Sequence, residues 1–221
     1  MQANQDSINN ACINIYSEAR AFFRTHNILS DRCGFEILMG PPFVNPDVLF
    51  VGYQPGGWKL SVTQARDAGY EHGWVTTESQ YATEMWRLAV KLRNIFSGNS
   101  SILDRSVGLN AIYVRATNVD EYTKQNTAEN RRLIKDFCTE KNIEIIDLIK
   151  PKKIVFIGFM AMEVFTRISK PDILGNDKRS LTKMGYVKGI EFLAVRHLSG
   201  AWFTRNDYVK TENRIRGFLS F

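Results

Sequence analysis

The chain has 221 residues, of which 44% are hydrophobic and 12% aromatic, and this composition predicts one globular domain with a full core. It has no run near about 18 apolar residues and no basic-then-apolar leader before Asn9, so we expect a cytoplasmic protein with neither a membrane span nor a secretory signal. The formal net charge is +6, and it is unevenly placed: the first 149 residues hold 15 Lys and Arg against 17 Asp and Glu (−2), whereas the rest holds 14 against 6 (+8).

Helical and strand patterns alternate through the first half of the chain. Apolar residues at helical spacing predict a helix over 8–23, and the apolar run 47–52 predicts a strand. The glycine-containing stretch 56–78 is irregular, and loops of that length are usually functional or mobile. Helical spacing resumes over 81–96, and 109–116 predicts a buried strand.

The second half continues in the same way. A capping box at Asn126–Glu129 predicts a helix start, and Lys188-Gly189 predicts a hairpin turn. The remaining predicted elements are a strand at 153–158, a helix at 160–168, hairpin strands at 185–187 and 190–195, and a last helix capped by Asp207. This alternation predicts an α/β fold with a parallel sheet that is covered on both faces.

Two predicted strands end in polar and glycine-rich motifs. The first runs into Tyr53-Gln54-Pro55-Gly56-Gly57, and the last ends in Arg196-His197-Leu198-Ser199-Gly200. Open α/β folds bind ligands at the carboxyl edge of the sheet. We therefore expect these two motifs to meet at one site.

These motifs resemble those of the uracil-DNA glycosylase superfamily, most closely its mismatch-specific and single-strand-selective branches. That family carries Gly-x-Asp/Asn-Pro-Tyr/Gly after the first core strand, and His-Pro-Ser or Asn-Pro-Ser-Gly after the last. Gln54 stands here in place of Asp or Asn, and Leu198 in place of Pro. The intermediate landmarks are Met85-Trp86-Arg87, residues 116–120 and residues 149–158.

The resemblance covers about residues 47–218 and implies the architecture of the whole chain. It implies a single domain over 1–221, with a central, mostly parallel four-stranded sheet flanked by helices. Residues 1–46 are then an N-terminal helical extension that packs on the core. It also implies a monomeric enzyme that needs no metal and no cofactor.

By this resemblance, a base is flipped out of DNA and its bond to the sugar is hydrolysed. Gln54 is the candidate to hold the attacking water, because an amide oxygen accepts a hydrogen bond without acting as a strong base. His197 is the candidate to donate to the O2 atom of the departing base. Asp120 and Glu121 are the alternative if an ionised base is required.

The base itself is expected to contact a second group of residues. Tyr53 occupies the variable position of the first motif, and Asn118 offers both a donor and an acceptor. Gly56 stands where strict uracil enzymes have a Tyr that blocks the pyrimidine C5 position, so C5 substituents should fit. Four aromatic residues are candidates to stack on the base: Trp58, Tyr70, Trp74 and Tyr81.

DNA is the expected partner, because the basic C-terminal third matches a polyanion. Ser199 and Gly200 are candidate DNA contacts, and Lys152 belongs to a short basic run that suits phosphates. Trp202 or Phe203 could fill the gap in the duplex, since aromatic rings replace base stacking. A DNA-bound protein of this kind would associate with the nucleoid.

Two functions from different classes are the main alternatives. A third, an unrelated α/β phosphate-binding enzyme, lacks support because the chain has neither Gly-x-x-x-x-Gly-Lys-Ser/Thr nor Gly-x-Gly-x-x-Gly. The first is a monofunctional DNA glycosylase acting on uracil-type or C5-modified pyrimidines, in repair or in defence against modified foreign DNA. The second is a catalytically silent relative that binds DNA or a nucleotide through the same pocket, as the changes at Gln54 and Leu198 suggest. Formation of abasic sites separates the two.

Overall fold

A computed structural model describes residues 2–28, 34–56, 73–74, 76–165, 172–176, 181–198 and 204–220. The helices in these ranges are α1 (Gln2–Thr25), α2 (Gln80–Thr83), α3 (Arg87–Ile95), α4 (Ser101–Asp104), α5 (Val119–Gln125), α6 (Ala128–Ile149), α7 (Phe159–Phe165) and α8 (Arg205–Leu219). The strands are β1 (Val48–Gly52), β2 (Ser106–Asn110), β3 (Ile154–Ile157), β4 (Asp172–Asn176), β5 (Thr182–Val187) and β6 (Ile190–Val195). None of these helices is both long and apolar enough to cross a membrane.

The described strands form one sheet in the order β2-β1-β3-β6-β5-β4. Neighbours among β2, β1, β3 and β6 are parallel, whereas β5 and β4 pair antiparallel at one edge. The predicted α/β domain with a mostly parallel sheet is confirmed. The predicted number of four strands is wrong, because the hairpin adds β5 beside β6 and β4 then pairs with β5. Lys188 and Gly189 form the turn with φ of 52° and 77°, the positive values that tight hairpin turns need.

The central strands are apolar throughout because both faces of the sheet are covered. Every residue of β1 and β3 is buried. Side chains alternate across the sheet: Leu49 and Val51 pack in one core with α1, α6 and α7, while Val48 and Phe50 pack in a second core with α3 and α8. Free cysteines at Cys12 and Cys138 are buried in the first core.

The helix predicted over 81–96 is interrupted. Glu84 and Trp86 both have extended backbone with ψ of 154°, so α2 and α3 are separated by a turn. Arg93 of α3 donates from Nη1 to three carbonyl oxygens, those of Tyr81 (3.2 Å), Ala82 (3.2 Å) and Glu84 (2.6 Å). These bonds satisfy carbonyl groups that the end of a helix leaves without partners.

The second predicted strand, 109–116, begins too late. β2 ends at Asn110, and the buried residues that follow continue as irregular chain. Ala111 N donates to Gly52 O at 2.8 Å, and Ile112 N donates to Tyr53 O at 2.7 Å. An apolar run that is buried throughout looks the same in a strand and in such a segment, so periodicity does not separate them.

The N-terminal extension is helical in α1, whereas residues 34–46 form no helix. This segment bridges to β2 and the residues after it, with Leu38 opposite Leu109. Gly108 makes the close approach possible. A Cβ on Gly108 would lie 2.6 Å from Met39 Cβ and 2.6 Å from Tyr81 Cε2. The segment is therefore part of the core.

The chain leaves the two central strands in opposite directions. From β1 the chain continues to β2, which lies on one side of β1 in the sheet. From β3 it continues to β4, β5 and β6, which lie on the other side. Such a switch point opens a crevice outside the carboxyl ends of the strands. Gly158, which follows β3, has φ of 103°, and a Cβ there would lie 3.6 Å from His197 Cβ. The end of β3 therefore lies against the residue that follows β6.

Candidate active site at the carboxyl edge of the sheet

A cavity of about 660 Å³ opens at this crevice, and its size is typical of small-molecule sites, which span roughly 300–1,000 Å³. We call it the cleft. Its described lining comprises Glu36, Met39, residues 52–56, Gln80, Tyr81, Glu84, residues 86–88, Asn110, residues 115–119 and His197. Gln54 of the first motif and His197 of the second therefore line the same cleft, as the sequence predicts.

The loop after β1 is fixed by backbone hydrogen bonds to the segment after β2. Besides the bonds from Ala111 and Ile112, Ala116 N donates to Pro55 O at 3.4 Å. Arg115 Nη1 donates to Gly56 O at 3.1 Å. These bonds hold the backbone carbonyl groups on both sides of Gln54, so the backbone of residues 52–56 positions Gln54 in the cleft.

The two polar atoms of the Gln54 side chain differ in their hydrogen bonding. Its Nε2 donates to Ala116 O at 3.3 Å. Its Oε1 is buried and has no hydrogen-bond partner among the described residues. A buried acceptor without a partner costs free energy unless water or a ligand satisfies it, so Oε1 is a candidate acceptor for a bound molecule.

His197 also lines the cleft, and it is exposed. Partial desolvation lowers the pKa of His197 below its ordinary value, and the positive charge of Lys91 lowers this pKa further. Lys91 Nζ also donates to the carbonyl oxygen of Leu198. The imidazole is therefore neutral near neutral pH and can donate one hydrogen bond.

Sequence reasoning missed a buried ion pair that lies along the cleft. Glu36 and Arg115 pair through Oε2 and Nη2, and their side chains are only 2% and 5% exposed. Gln80 Nε2 donates to Glu36 Oε1 at 3.0 Å. Burial raises the pKa of Glu36, while Arg115 and Gln80 oppose that rise. Because Arg115 also holds Gly56 O, the pair connects the N-terminal segment to the loop that carries Gln54.

Asn110, at the carboxyl end of β2, is the second residue that was missed. It is 3% exposed and lines the cleft. Its Nδ2 donates to Glu36 O at 3.3 Å and to Met39 Sδ at 3.2 Å. The available signal was a polar amide inside the apolar run Val107–Tyr113, since a buried polar residue at a strand end is informative.

Asn118 lines the cleft but caps a helix as well. Its Oδ1 accepts from Glu121 N at 2.8 Å, and the Glu121 carboxylate accepts from Thr117 N at 2.7 Å. Asn118 is therefore the N-cap of α5, and Glu121 binds the backbone amide of the residue before it. Glu121 and the exposed Asp120 are not part of the cleft lining, so neither predicted alternative base faces the cleft.

The remaining base-binding candidates differ in position. Tyr53 lines the cleft, but its ring is 9% exposed and packs edge-on to Tyr122 at 6.4 Å between centroids. Gly56 lines the cleft, and a Cβ added to it meets no described atom within 4 Å. Trp74 does not line the cleft; it is half-buried and packs against the core that contains α1.

Aromatic rings do line the cleft. Tyr81, which was one of the predicted stacking candidates, is buried there, and the half-buried Trp86 packs on it at 5.3 Å between centroids. Beside them Met85 is 79% exposed. The candidates Trp58 and Tyr70 lie outside the described residues.

Of the predicted DNA contacts, Lys152 lies away from the cleft. Lys152 precedes β3 and binds Asp47 Oδ1 at 2.6 Å, while Asp47 precedes β1. Both residues therefore lie at the amino edge of the parallel strands, whereas the cleft lies at their carboxyl edge. The other predicted contacts, Ser199, Gly200, Trp202 and Phe203, lie outside the described residues.

A metal site is not found in the part of the chain that the structure describes. These residues contain no group of three or more His, Cys, Asp or Glu side chains that could hold a metal ion. The described cleft presents amide side chains, an imidazole and a buried ion pair. No protein-family model matches this chain, and no curated protein matches its sequence.

Proposed function

We propose that this protein is a monofunctional DNA glycosylase that hydrolyses the N-glycosidic bond of a flipped uracil-type or C5-modified pyrimidine. The observation that carries the proposal is the buried, unpartnered Oε1 of Gln54 in a cleft that His197 also lines. We further propose that the enzyme acts as a monomer in the cytoplasm, on nucleoid DNA, without a metal or cofactor.

Gln54 holds the water that attacks the sugar. Its Nε2 is engaged with Ala116 O, so its oxygen is the end that can accept a hydrogen bond from water. A neutral amide orients water but does not deprotonate it. The reaction therefore depends on a base that departs readily, which leaves an oxocarbenium-like sugar for the water to capture.

His197 stabilises the departing base. Negative charge develops at the O2 atom of a pyrimidine that leaves as an anion, and a donor held at that position lowers the barrier. Since the pKa of His197 is lowered by desolvation and by Lys91, the imidazole donates as a neutral group. Lys91, tied to the Leu198 carbonyl oxygen, adds positive charge nearby.

The region around Gly56 accommodates C5 substituents. No described atom lies within 4 Å of a Cβ built on this residue, and the ring that blocks C5 in strict uracil enzymes is absent from this position. Electron-withdrawing C5 groups also make the base a better leaving group, which suits a site that holds its water with a neutral amide.

A catalytically silent DNA- or nucleotide-binding protein is the second candidate, and the carboxylates of the cleft favour it. Of the two that line the described cleft, Glu36 is bound by Arg115 and Gln80, and Glu84 is exposed. Neither carboxylate is hydrogen-bonded to Gln54 among the described residues. Such a protein would bind the flipped base and release nothing.

Formation of abasic sites tests the proposal. Single- and double-stranded oligonucleotides carrying uracil, mismatches and C5-modified cytosines are incubated with excess protein, and abasic sites are cleaved with alkali. Strand cleavage at the target that disappears in Gln54→Ala supports the glycosylase. Tight binding without cleavage of any substrate would support the silent relative.

A further inference from the structure

A second cavity lies beside α8, and the proposed hydrolysis does not use it. Its volume is about 360 Å³, and we call it the groove. The described lining joins the start of β5 to one side of α8 and comprises Leu181, Thr182, Lys210, Thr211, Asn213 and Arg214. None of these described lining residues is acidic, so their formal charge is entirely positive.

The two cations of the groove are neighbours along α8. Lys210 and Arg214 are four residues apart, a spacing that places two side chains on the same side of a helix. Both residues are exposed, and neither forms an ion pair with another described residue. Like charges at this spacing destabilise a helix. An anion bound between them would relieve that repulsion.

The other charged residues of α8 are engaged within the chain. Arg216 Nη2 donates to Glu212 Oε1 at 2.7 Å, and the carboxylate of Asp207 accepts from Thr204 Oγ1 at 2.8 Å. Both acidic residues of the helix therefore bind groups other than the two groove cations. A counter-charge for Lys210 and Arg214 has to come from a bound molecule.

The groove lies at the same edge of the sheet as the cleft. Thr182 is opposite Val195 in the pairing of β5 with β6, and Arg196 N donates to Leu181 O at 3.1 Å. His197 of the cleft follows two residues after Val195, so the Cα atoms of Thr182 and His197 are at most about 13 Å apart. A strand whose base enters the cleft can therefore reach the groove.

The groove residues suit a phosphate better than a base. Lys210 offers an ammonium group, Arg214 a guanidinium that can bind two phosphate oxygens, and Asn213 an amide donor. No aromatic ring lines the part of the groove that the structure describes, so a base would find no ring to stack on. Positive charge without aromatic rings is typical of a contact to the backbone of a nucleic acid.

We propose that the groove binds a backbone phosphate of the DNA strand whose base enters the cleft. This inference rests on the proposed function in taking DNA as the ligand of the cleft, but it does not depend on hydrolysis. The strand is then held at two places, by its base in the cleft and by a phosphate in the groove. Phosphate contacts fix the orientation of the strand and carry no sequence information.

The salt dependence of DNA binding tests the charge of the groove. The double variant Lys210→Gln, Arg214→Gln should bind an unmodified oligonucleotide about tenfold more weakly at low salt. The slope of log affinity against log salt should fall by about 0.7 for a single strand or about 0.9 for a duplex, the values for one phosphate. Arg216→Gln, at a cation of the same helix that is already paired, is the matched control and should change neither.

Neutral phosphates locate the contact. Methylphosphonates replace the phosphates one at a time around a target base that is carried on a non-hydrolysable 2′-fluoro sugar. In the unchanged protein, one replacement beside the target should weaken binding about tenfold. In the double variant the same replacement should have no further effect, because two changes that remove one contact are not additive.

The outcomes separate this inference from the proposed function when base release is measured on matched hydrolysable oligonucleotides. Non-additive losses without release of any base would leave the inference standing and remove the glycosylase. Base release with additive losses at every phosphate, or with an unchanged salt slope in the double variant, would overturn the inference and leave the glycosylase standing. Absence of DNA binding at low salt would overturn both.

Discussion

The two edges of the sheet use the same kinds of charged residue in opposite ways. At the amino edge Asp47 binds Lys152 at 2.6 Å and Arg105 at 2.9 Å, and the two basic side chains are 64% and 58% exposed. At the carboxyl edge Glu36 and Arg115 pair almost fully out of water. The amino-edge charges neutralise one another in solvent, whereas the carboxyl-edge pair positions a loop. The ion pair of the candidate site therefore differs from the amino-edge ion pairs in its burial and in its hydrogen bond to the loop, not in the types of residue that form it.

The largest expected difference between the edges is in stability. Arg115→Met leaves the Glu36 carboxylate buried without its cation, and breaking such a pair costs about 3–5 kcal/mol in the free energy of unfolding. Lys152→Ala removes an exposed partner and should cost less than about 1 kcal/mol. Urea unfolding of both variants measures this difference. Equal losses would mean that the buried pair does not organise the cleft.

Catalysis should depend on the carboxyl edge alone. Gln54→Ala and His197→Ala should each slow base release by about a hundredfold or more, because their roles are made mostly in the transition state. DNA binding should remain largely intact. Single-turnover assays separate chemistry from binding, with Asp104→Asn, at an exposed carboxylate outside the described cleft lining, as the control. Wild-type rates in both cleft variants would show that the site is elsewhere.

Substrate choice should respond to the open space at Gly56. Gly56→Tyr would place a ring in the region where a Cβ meets no described atom, and it should reduce the rate on C5-substituted bases by about tenfold or more relative to unsubstituted ones. The ratio of single-turnover rates in the two proteins measures the effect. A ratio that Gly56→Tyr does not change would remove the pocket assignment.

We expect a smaller difference between the two edges in their effect on DNA affinity. Arg87 is exposed and lines the cleft, so Arg87→Ala should weaken DNA binding and reduce the slope of log affinity against log salt by about 0.9. Lys152→Ala, at the opposite edge, should change neither. Titrations between low and physiological salt distinguish the two edges, and equal effects of the two variants would contradict the placement of DNA.

The smallest expected effect is on pH dependence. Desolvation and Lys91 lower the pKa of His197. If the neutral imidazole is the active form, as proposed above, activity should be lost only as the pH falls below about 6.5, the ordinary pKa of histidine. Lys91→Met removes a positive charge and should move this acidic limb to higher pH. Lys91→Arg keeps the charge and should leave the limb in place. A limb that Lys91→Met does not move would contradict the coupling.

Short sequence patterns correctly predicted the elements whose structure depends on neighbouring residues alone. The strands β1 and β3 are apolar runs that end at glycine, and the hairpin at Lys188 follows from its turn residues. The helix caps were less well placed, because Thr127, rather than Asn126, accepts from Asn130 N and Thr204, rather than Asp207, caps α8. Neighbouring polar residues compete for the same backbone amide, and sequence alone does not rank them.

The sequence predicted only those cleft residues that directly follow a strand. Gln54 and His197 were found because each ends an apolar run. Glu36 and Arg115 were not found, because they meet through pairing between segments about 80 residues apart, and no local pattern records that pairing. Asn118 lines the cleft, but its role as a helix cap was not predicted, although Asn-x-x-Glu is a capping pattern.

The antiparallel hairpin gives the molecule a place that tolerates modification. β6 is an interior strand, because β3 binds one side and β5 the other, so His197 is carried by a strand that is hydrogen-bonded along both edges. The turn at Lys188 and Gly189 lies at the far end of this six-residue strand, about 20 Å away at the usual rise per residue. A dye or an affinity tag attached at this turn would therefore sit far from the cleft, so the hairpin is a suitable handle for immobilising the protein while the candidate site stays accessible.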